Sequence, residues 1–165
     1  MTSQHEFLLV EQPALDQLQS NGWSYKDGRE FTPETSDIRS SLKDVILAPN
    51  LEQSIKRINP WISEENLRKI IREVMVIQTS TLMEANQLLW ERLTQYFSVD
   101  QDLGKGRRGQ TVKLIDFDNI QNNEFLCVSQ FKIQGAIQNI IPDIILFVNG
   151  LPLGVIECKS PYITD

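Results

Sequence analysis

A β-hairpin is predicted for residues 142–159, which read PDIILFVNGLPLGVIECK. Asn149-Gly150 is the strongest turn signal in the chain, because both residues tolerate the positive φ that a two-residue hairpin turn requires. Residues 144–148, just before this turn, are apolar on both faces of the predicted strand. Such a strand is expected to be central in its sheet and covered on both sides.

Two carboxylates and a lysine stand at the open ends of this hairpin. Glu157 and Lys159 are two positions apart on a strand, so both side chains leave the same face. A strict two-residue turn would pair Asp143 with Ile156 and put Asp143 on the opposite face. A three-residue loop or a bulge pairs Asp143 with Glu157 instead. We therefore expect one of these irregularities, with the three side chains together at one edge of the sheet.

The chemistry of Asp143, Glu157 and Lys159 is that of a hard divalent metal site. Neighbouring carboxylates resist joint ionisation unless a cation neutralises them, and Mg²⁺ binds to a few carboxylates together with water and substrate phosphate. Lysine adds positive charge beside a phosphoryl transition state. The triad therefore predicts Mg²⁺-dependent hydrolysis of phosphodiesters. The alternative stays open that Glu-x-Lys is a solvated ion pair and that Pro-Asp only starts a turn.

Composition restricts the other classes of function. The chain has 165 residues and a net charge of −6, with 41% hydrophobic and 23% charged residues, the profile of a globular domain. Its single histidine, His5, argues against zinc sites and histidine-dependent nucleophilic catalysis. No signal peptide and no apolar run long enough for a bilayer are recognised, so we expect a cytoplasmic protein without membrane contact. Cys127 and Cys158 are expected to stay unpaired.

Helices precede strands along the chain. The pattern predicts a mostly helical part over residues 1–80 and a core of one helix and several strands over residues 81–165. The expected fold class is α/β or α+β, with a mostly antiparallel sheet. A loop or small hairpin is expected over residues 23–31. Helices are predicted over residues 13–20, 36–47, 51–58, 63–75 and 81–97. Strands are predicted over residues 111–117, 124–131, 144–148 and 151–158.

The helix predicted for residues 81–97 has an apolar face and an acidic face. Thr81 and Glu84 match a capping box, in which the two residues close the first helical turn. Glu84 and Glu91, seven positions apart, share a face. The apolar face is expected to pack on the sheet through Leu82, Ala85, Leu89 and Leu93.

A basic cluster follows this helix in a glycine-rich stretch, formed by Lys105, Arg107, Arg108 and Lys113. The cluster is notable because the net charge of −6 argues against a nonspecific nucleic-acid coat. Two interpretations stay open. The cluster either contacts DNA phosphates, or it is a solvated loop between a helix and a strand.

The hairpin resembles the amino-terminal domain of the restriction (R) subunit of type I restriction–modification enzymes. The motif that carries the resemblance is NGLPL at residues 149–153, followed by ECK at residues 157–159. The resemblance covers residues 80–161 well and the first 80 residues more loosely. Further similar stretches are EAN at 84–86, LIDF at 114–117, NEF at 123–125 and VSQF at 128–131.

This resemblance implies a PD-(D/E)xK nuclease fold, a mixed central sheet flanked by helices. It implies that Asp143 and Glu157 are metal ligands, together with the backbone carbonyl of Cys158, and that Lys159 is the catalytic lysine. In that superfamily an acidic residue of the first core helix often assists. Glu84 is the better candidate and Glu91 the alternative, while the capping role of Glu84 stays open.

The resemblance also implies DNA as substrate, Mg²⁺ as cofactor, and specificity and methylation subunits as partners. In the family an ATP-driven motor follows, whereas this chain has no Gly-x-x-x-x-Gly-Lys-Ser/Thr loop. We therefore expect a fragment that does not itself bind ATP, although the full-length subunit uses it. Two other functions are weighed: a stand-alone repair or recombination nuclease of the same fold, and a non-catalytic docking domain.

Overall fold

The computed structural model describes residues 10–76 and 81–159, except for the side chain of Leu82. The helices are α1 (Gln12–Ser20), α2 (Ala48–Ile58), α3 (Glu64–Met75) and α4 (Leu82–Gln95). The strands are β1 (Ser24–Asp27), β2 (Phe97–Asp102), β3 (Arg107–Val112), β4 (Phe125–Ser129), β5 (Ile133–Gln134), β6 (Asn139–Ile140), β7 (Ile144–Val148) and β8 (Leu151–Ile156). Helices combined with a mixed sheet confirm the α+β class.

The chain forms two compact units. The sheet unit contains the chain up to Leu47 together with the chain from Glu124 onwards, and the helical unit is Ala48–Asn123. The sequence predicted two parts, residues 1–80 and 81–165. Each of these parts contributes residues to both compact units, so the predicted boundary describes only the change in sequence pattern. Within the described residues, no helix is long and apolar enough to cross a membrane.

The sheet unit is built on a four-stranded sheet with the order β1-β4-β7-β8. β1 runs parallel to β4, and the other neighbouring strands are antiparallel. β7 lies between β4 and β8, and its neighbouring residues Ile144 and Ile145 are 0% and 2% exposed. Because these two side chains point to opposite faces, the strand is covered on both sides, which confirms the prediction.

A helix covers one face of this sheet, and the chain between β1 and α2 covers the other. On one face Leu15 of α1 packs in a buried cluster with Cys127 and Ile144. On the other face the buried cluster of Phe131 and Phe147 is completed by Phe31 and Leu47, from the irregular chain between β1 and α2. One face is therefore covered by an α-helix, and the other by mostly irregular chain that includes a short 3-10 helix (Gly28–Phe31).

An arginine is buried beneath this irregular chain. Arg39 is 2% exposed, and its guanidinium lies 4.1 Å from the centre of the Phe131 ring. Burial lowers the pKa of Arg39, and the nearby Asp44 opposes that shift. The guanidinium donates hydrogen bonds of 2.6–3.3 Å to the backbone carbonyls of Phe31, Leu42, Asp44 and Lys132. Arg39 thus satisfies carbonyl groups that a helix or a strand would otherwise satisfy.

The helix predicted for residues 36–47 is wrong, because side chains bind the backbone of this segment locally. The Asp44 carboxylate accepts hydrogen bonds from the backbone N–H groups of Ser40 at 3.1 Å and Ser41 at 2.9 Å. The Ser36 hydroxyl accepts one from the N–H of Ile38 at 3.1 Å. Bonds of this kind offer the backbone an alternative to helical hydrogen bonding.

The helical unit confirms the capped helices. The Ser63 hydroxyl caps α3 by accepting a hydrogen bond from the N–H of Asn66 at 3.3 Å, and the buried face of α3 carries Leu67, Ile70 and Val74. On α4, Ala85 and Leu89 are half-buried and Leu93 is 8% exposed. The burial of these three residues agrees with the predicted apolar period, whereas the side chain of Leu82 lies outside the described residues. Packing of this face on the four-stranded sheet stays a prediction, because α4 belongs to the helical unit.

The strand predicted for residues 111–117 is wrong, and the helix predicted for residues 81–97 extends too far. β2 begins at Phe97 and pairs with β3, which ends at Val112. The following loop is held by Asp116, whose carboxylate accepts from the Asn122 amide at 2.8 Å and from two backbone N–H groups. These hydrogen bonds, with that of Asn122 the strongest, lower the pKa of Asp116.

The turn between β7 and β8 has the predicted hairpin geometry. Asn149 and Gly150 adopt φ of 54° and 80°, and two positive values in succession are typical of a type I′ turn. Asn149 is 0% exposed. Its side-chain Oδ1 accepts a hydrogen bond from the N–H of Glu124 at 2.8 Å, and its own N–H donates to the Glu124 carbonyl at 2.9 Å. The turn is therefore tied to the start of β4.

We expect Asn149→Ala to lower the free energy of unfolding by about 2 kcal/mol. The variant removes the acceptor of the Glu124 N–H and places an alanine in the left-handed region. Urea unfolding followed by circular dichroism measures the change. Asn119→Ala, at an exposed position with φ of −127°, is the control and should change stability by less than about 0.5 kcal/mol. Equal stabilities for the two variants would contradict this account of the turn.

Candidate active site

A bulge in the β7–β8 hairpin sets the register of the candidate site. Next to the turn, Val148 pairs with Leu151, as a two-residue connection requires. The register then shifts by one, with Leu153 as the extra residue, and at the far end Ile144 pairs with Ile156. The sequence was compatible with either a three-residue loop or a bulge, and the structure has a bulge.

This register places Asp143 opposite Glu157, one position beyond the pair of Ile144 and Ile156. Asp143 Oδ2 accepts a hydrogen bond from the backbone N–H of Cys158 at 2.7 Å. The bond holds the Asp143 carboxylate against the end of β8 that leads to Glu157 and Lys159. The predicted convergence of these residues at a sheet edge agrees with this geometry, while their roles stay predictions.

Burial alternates along the chain after β8. Glu157 and Lys159 are exposed, and Cys158 between them is half-buried and packs against the cluster under α1. The two charged side chains therefore leave the face opposite to α1, where solvent or a ligand can reach them. Within the described residues, Cys127 and Cys158 form no disulfide, and burial raises the pKa of the Cys127 thiol.

The donor set at this edge fits a hard divalent cation. Asp143 and Glu157 offer carboxylate oxygens and Cys158 offers a backbone carbonyl, which are the ligand types that Mg²⁺ prefers. The hydrogen bond from Cys158 engages Oδ2 of Asp143, and a carboxylate has further lone pairs on its other oxygen. Within residues 10–76 and 81–159, no group of three His, Cys, Asp or Glu side chains is placed to hold a metal. Water and substrate oxygens would have to complete the coordination shell.

The two acids predicted to assist lie on α4, in the helical unit. The backbone N–H of Glu84 donates to the Thr81 hydroxyl at 3.2 Å, so the capping role of Thr81 is confirmed. Glu91 accepts a hydrogen bond from the Gln87 amide at 2.9 Å. The assisting role of Glu84 or Glu91 stays a prediction, because the triad belongs to the sheet unit.

An acidic residue that the sequence did not single out lies in the sheet unit. Glu11, at the start of α1, is 0% exposed, and its Oε2 accepts a hydrogen bond of 3.5 Å from the Gln130 amide. The backbone N–H of Gln130 in turn donates to the backbone carbonyl of Asp143 at 3.1 Å. Glu11 was overlooked because it falls in what reads as an N-terminal arm. Its position just before a short helix that faces the sheet was the available signal.

Glu11 and Gln130 line a cavity of about 530 Å³ at the same edge of the sheet as the triad. One row of paired residues crosses all four strands at this edge, formed by Asp27, Ser129, Ile144 and Ile156. Asp27 and Ser129 line the cavity, whereas Ile144 and Ile156 precede and follow the hairpin that carries the triad. The cavity and the triad therefore occupy neighbouring positions along one edge.

Three residues of the basic cluster lie in the β2–β3 hairpin, where the sequence allowed a solvated loop between a helix and a strand. The location differs, and their exposure agrees with the solvated interpretation. Arg107 and Arg108 are on β3 and Lys105 is in the β2–β3 connection, and all three are exposed. Lys113 contacts Asp118, and this hydrogen bond is the main cause that raises the pKa of Lys113. Contact of Lys105, Arg107 and Arg108 with DNA stays a prediction.

Comparison with known proteins now places the chain in a family. The family model described as "Type I restriction enzyme R protein N terminus" matches residues 3–165. The chain belongs to this family, which confirms the resemblance seen in the sequence.

Relatives named as endonuclease subunits of type I restriction enzymes support the same family. The MjaIXP subunit of Methanocaldococcus jannaschii is 36% identical over 160 residues, which are 95% of this chain and 15% of the relative. The HindI subunit of Haemophilus influenzae is 32% identical over 154 residues, 92% of this chain and 15% of the relative. The chain thus spans about 15% of the length of these relatives.

Proposed function

We propose that this chain is the endonuclease module of a type I restriction enzyme R subunit and that it hydrolyses DNA phosphodiesters with Mg²⁺. The observation that best supports this proposal is the bulged hairpin, in which the N–H of Cys158 donates to the Asp143 carboxylate. This geometry is consistent with two carboxylates and a lysine of the family motif acting at one strand end. The relatives are named as endonuclease subunits, which supports the same activity.

The residues of the site have separate roles in this proposal. Asp143, Glu157 and the carbonyl of Cys158 would hold Mg²⁺, which when bound polarises a phosphoryl oxygen and acidifies a coordinated water. Lys159, exposed beside them, would place its positive charge against the phosphoryl oxygens as negative charge develops there. Glu11, buried at the neighbouring cavity, is a stronger candidate for the assisting acid than Glu84 or Glu91, because it shares the unit of the triad.

The remaining parts of the proposal concern the complete subunit. The specificity and methylation subunits are proposed partners, and an ATP-driven motor is proposed to lie in the part of the subunit that this chain does not cover. Such partners would supply much of the grip on DNA, which a chain with a net charge of −6 needs. The proposed location is the cytoplasm.

Asp143→Asn is expected to separate metal binding from the fold. The asparagine keeps a side-chain oxygen that can accept the hydrogen bond from Cys158, but it loses the negative charge. We expect Mg²⁺ affinity to fall about 10-fold or more and DNA cleavage about 100-fold, with thermal stability nearly unchanged. Isothermal titration with Mg²⁺ and a plasmid cleavage assay with the complete enzyme measure the two effects.

Asp37→Asn, which removes an exposed carboxylate elsewhere in the sheet unit, is the control and should bind Mg²⁺ and cleave as wild type. If Asp143→Asn retains wild-type cleavage, the nuclease site is not here. The chain would then fit a non-catalytic docking domain better.

A further inference from the structure

The β5–β6 hairpin has an apolar tip that the proposed site does not use. The Gly135 N–H donates to the Gln138 carbonyl at 3.1 Å and closes a tight turn over Ala136 and Ile137. A side chain at Gly135 would meet that carbonyl oxygen at 2.4 Å, so only glycine fits there. Ile137 is 99% exposed. Ile140 in β6 and Ile141 after it are also exposed, at 54% and 49%. Exposed apolar side chains grouped on one hairpin suggest contact with another molecule.

The root of this hairpin is fixed to the sheet unit by three contacts. Ile133 packs against the buried cluster that contains Phe131. The N–H of Gln134 donates to the Leu42 carbonyl at 3.0 Å, and the carbonyl of Lys132 accepts from Arg39 at 3.0 Å. These contacts hold the base of the hairpin in place, so less conformational entropy is lost when the tip binds another molecule.

The charges and amide side chains around the tip favour a nucleic acid as its binding partner over an apolar protein surface. The chain has 22 acidic residues, yet none lies between Glu124 and Asp143, so nothing on the hairpin repels phosphates. Lys132 adds a positive charge at the root. Exposed amide side chains flank the tip, those of Gln134, Gln138 and Asn139. Amides and lysine are among the side chains that bind the acceptor-lined minor groove.

The hairpin also leaves the sheet at the edge that carries the candidate site. It connects β4 to β7, and Asp143 directly precedes β7. Ile137 is six residues before Asp143, so the two Cα atoms lie within about 20 Å of each other. A duplex placed with a phosphate at Asp143 therefore has its neighbouring base steps within reach of the tip.

We propose that Ile137 is a wedge that enters the DNA minor groove beside the cleaved phosphodiester and partly unstacks one base step. The proposal rests on the proposed function, which supplies DNA as the substrate. Apolar side chains inserted in this way open the minor groove and kink the duplex. The amides of Gln134 and Asn139, which pair across the hairpin, contact the groove on either side of the wedge. The hairpin thereby holds the DNA so that its backbone lies against Asp143, Glu157 and Lys159.

The test measures binding and unstacking together. The complete R subunit with its partner subunits is titrated, without Mg²⁺, into a fluorescein-labelled duplex for anisotropy and into a duplex containing 2-aminopurine, whose fluorescence rises when its base step is unstacked. Wild type should raise the 2-aminopurine signal. Ile137→Ala should lose most of that rise and bind about 5-fold more weakly, and Ile137→Asp at least about 10-fold more weakly, since it adds a charge that phosphates repel.

Ile120→Ala and Ile120→Asp are the matched controls, because Ile120 is also exposed, at 61%, but lies in the helical unit. Circular dichroism verifies that all variants fold. Ile137 variants that bind and unstack DNA as wild type does would overturn the wedge. So would an Ile137→Asp variant that loses only self-association in light scattering. If those variants also cleave normally while Lys159→Ala does not, the wedge falls and the nuclease stands. A complete wild-type enzyme that binds no DNA contradicts both.

Discussion

Lys159→Ala in the complete R subunit is expected to reduce DNA cleavage by about 1000-fold, while ATP hydrolysis stays within about 2-fold of wild type. The Lys159 side chain is exposed at the end of a hairpin, so its removal opens no cavity and costs little stability. What is lost is positive charge beside the reacting phosphoryl group. The ATPase should survive, because the motor is proposed to lie in another part of the subunit.

A plasmid nicking and linearisation assay with Mg²⁺, ATP and the partner subunits measures the first effect, and an ATPase assay run in parallel measures the second. Lys43→Ala is the matched control, since Lys43 is an exposed lysine of the same unit away from the triad. Cleavage by the Lys159 variant at the rate of the Lys43 variant would show that this lysine has no catalytic role. A loss of ATPase in the Lys159 variant alone would point to assembly instead of chemistry.

Arg39→Ala is expected to lower the free energy of unfolding by about 4 kcal/mol or more. Its guanidinium donates to four backbone carbonyls. The Leu42 carbonyl also accepts from the N–H of Gln134, so the loss falls on the carbonyls of Phe31, Asp44 and Lys132. Each buried carbonyl left without a donor costs about 1–3 kcal/mol. Since domains are commonly stable by about 5–15 kcal/mol, this variant can fail to fold. Arg39→Lys keeps the charge but not the planar set of donors, and it should lose about 2 kcal/mol.

Urea unfolding monitored by tryptophan fluorescence gives both values. Arg29→Ala serves as the reference, because the Arg29 side chain is 82% exposed and pairs with Asp27 at the surface. Such a pair contributes at most about 1 kcal/mol. If Arg39→Lys unfolds at the same urea concentration as wild type, the buried hydrogen bonds do not hold the irregular chain in place.

The hairpin and the register of its candidate site could be predicted because their signals are local. Asn149-Gly150 predicts the turn, and the apolar run of β7 predicts a central strand. Asp143 and Glu157 are an even number of positions apart, so they can face each other across a two-residue turn only if the hairpin contains a bulge. None of these inferences needs a residue distant in the sequence. Both the turn and the irregularity are present in the structure.

The errors arise where distant or side-chain contacts decide the backbone. The loop or small hairpin predicted for residues 23–31 is wrong, because β1 lies there and pairs in parallel with β4, about 100 residues later. Nothing local in the sequence indicates that partner. The segment of residues 36–47 reads as helical, but Arg39 and Asp44 bind its backbone in another form. β2 escaped notice because Ser98 and Asp100 alternate with its buried residues, Phe97 and Val99, at the end of a helical pattern.

Because Leu153 is an extra residue in β8, the two carboxylates face each other only when an even number of positions separates them in the sequence. Asp143 and Glu157 are fourteen positions apart, an even separation, and across a two-residue turn only odd separations bring residues opposite each other. One bulge converts one parity into the other. Insertion or deletion of one residue anywhere between them would therefore turn one carboxylate to the far side of the sheet unless a bulge appeared or vanished with it. Lengths of this hairpin in related chains should accordingly change by two residues more readily than by one.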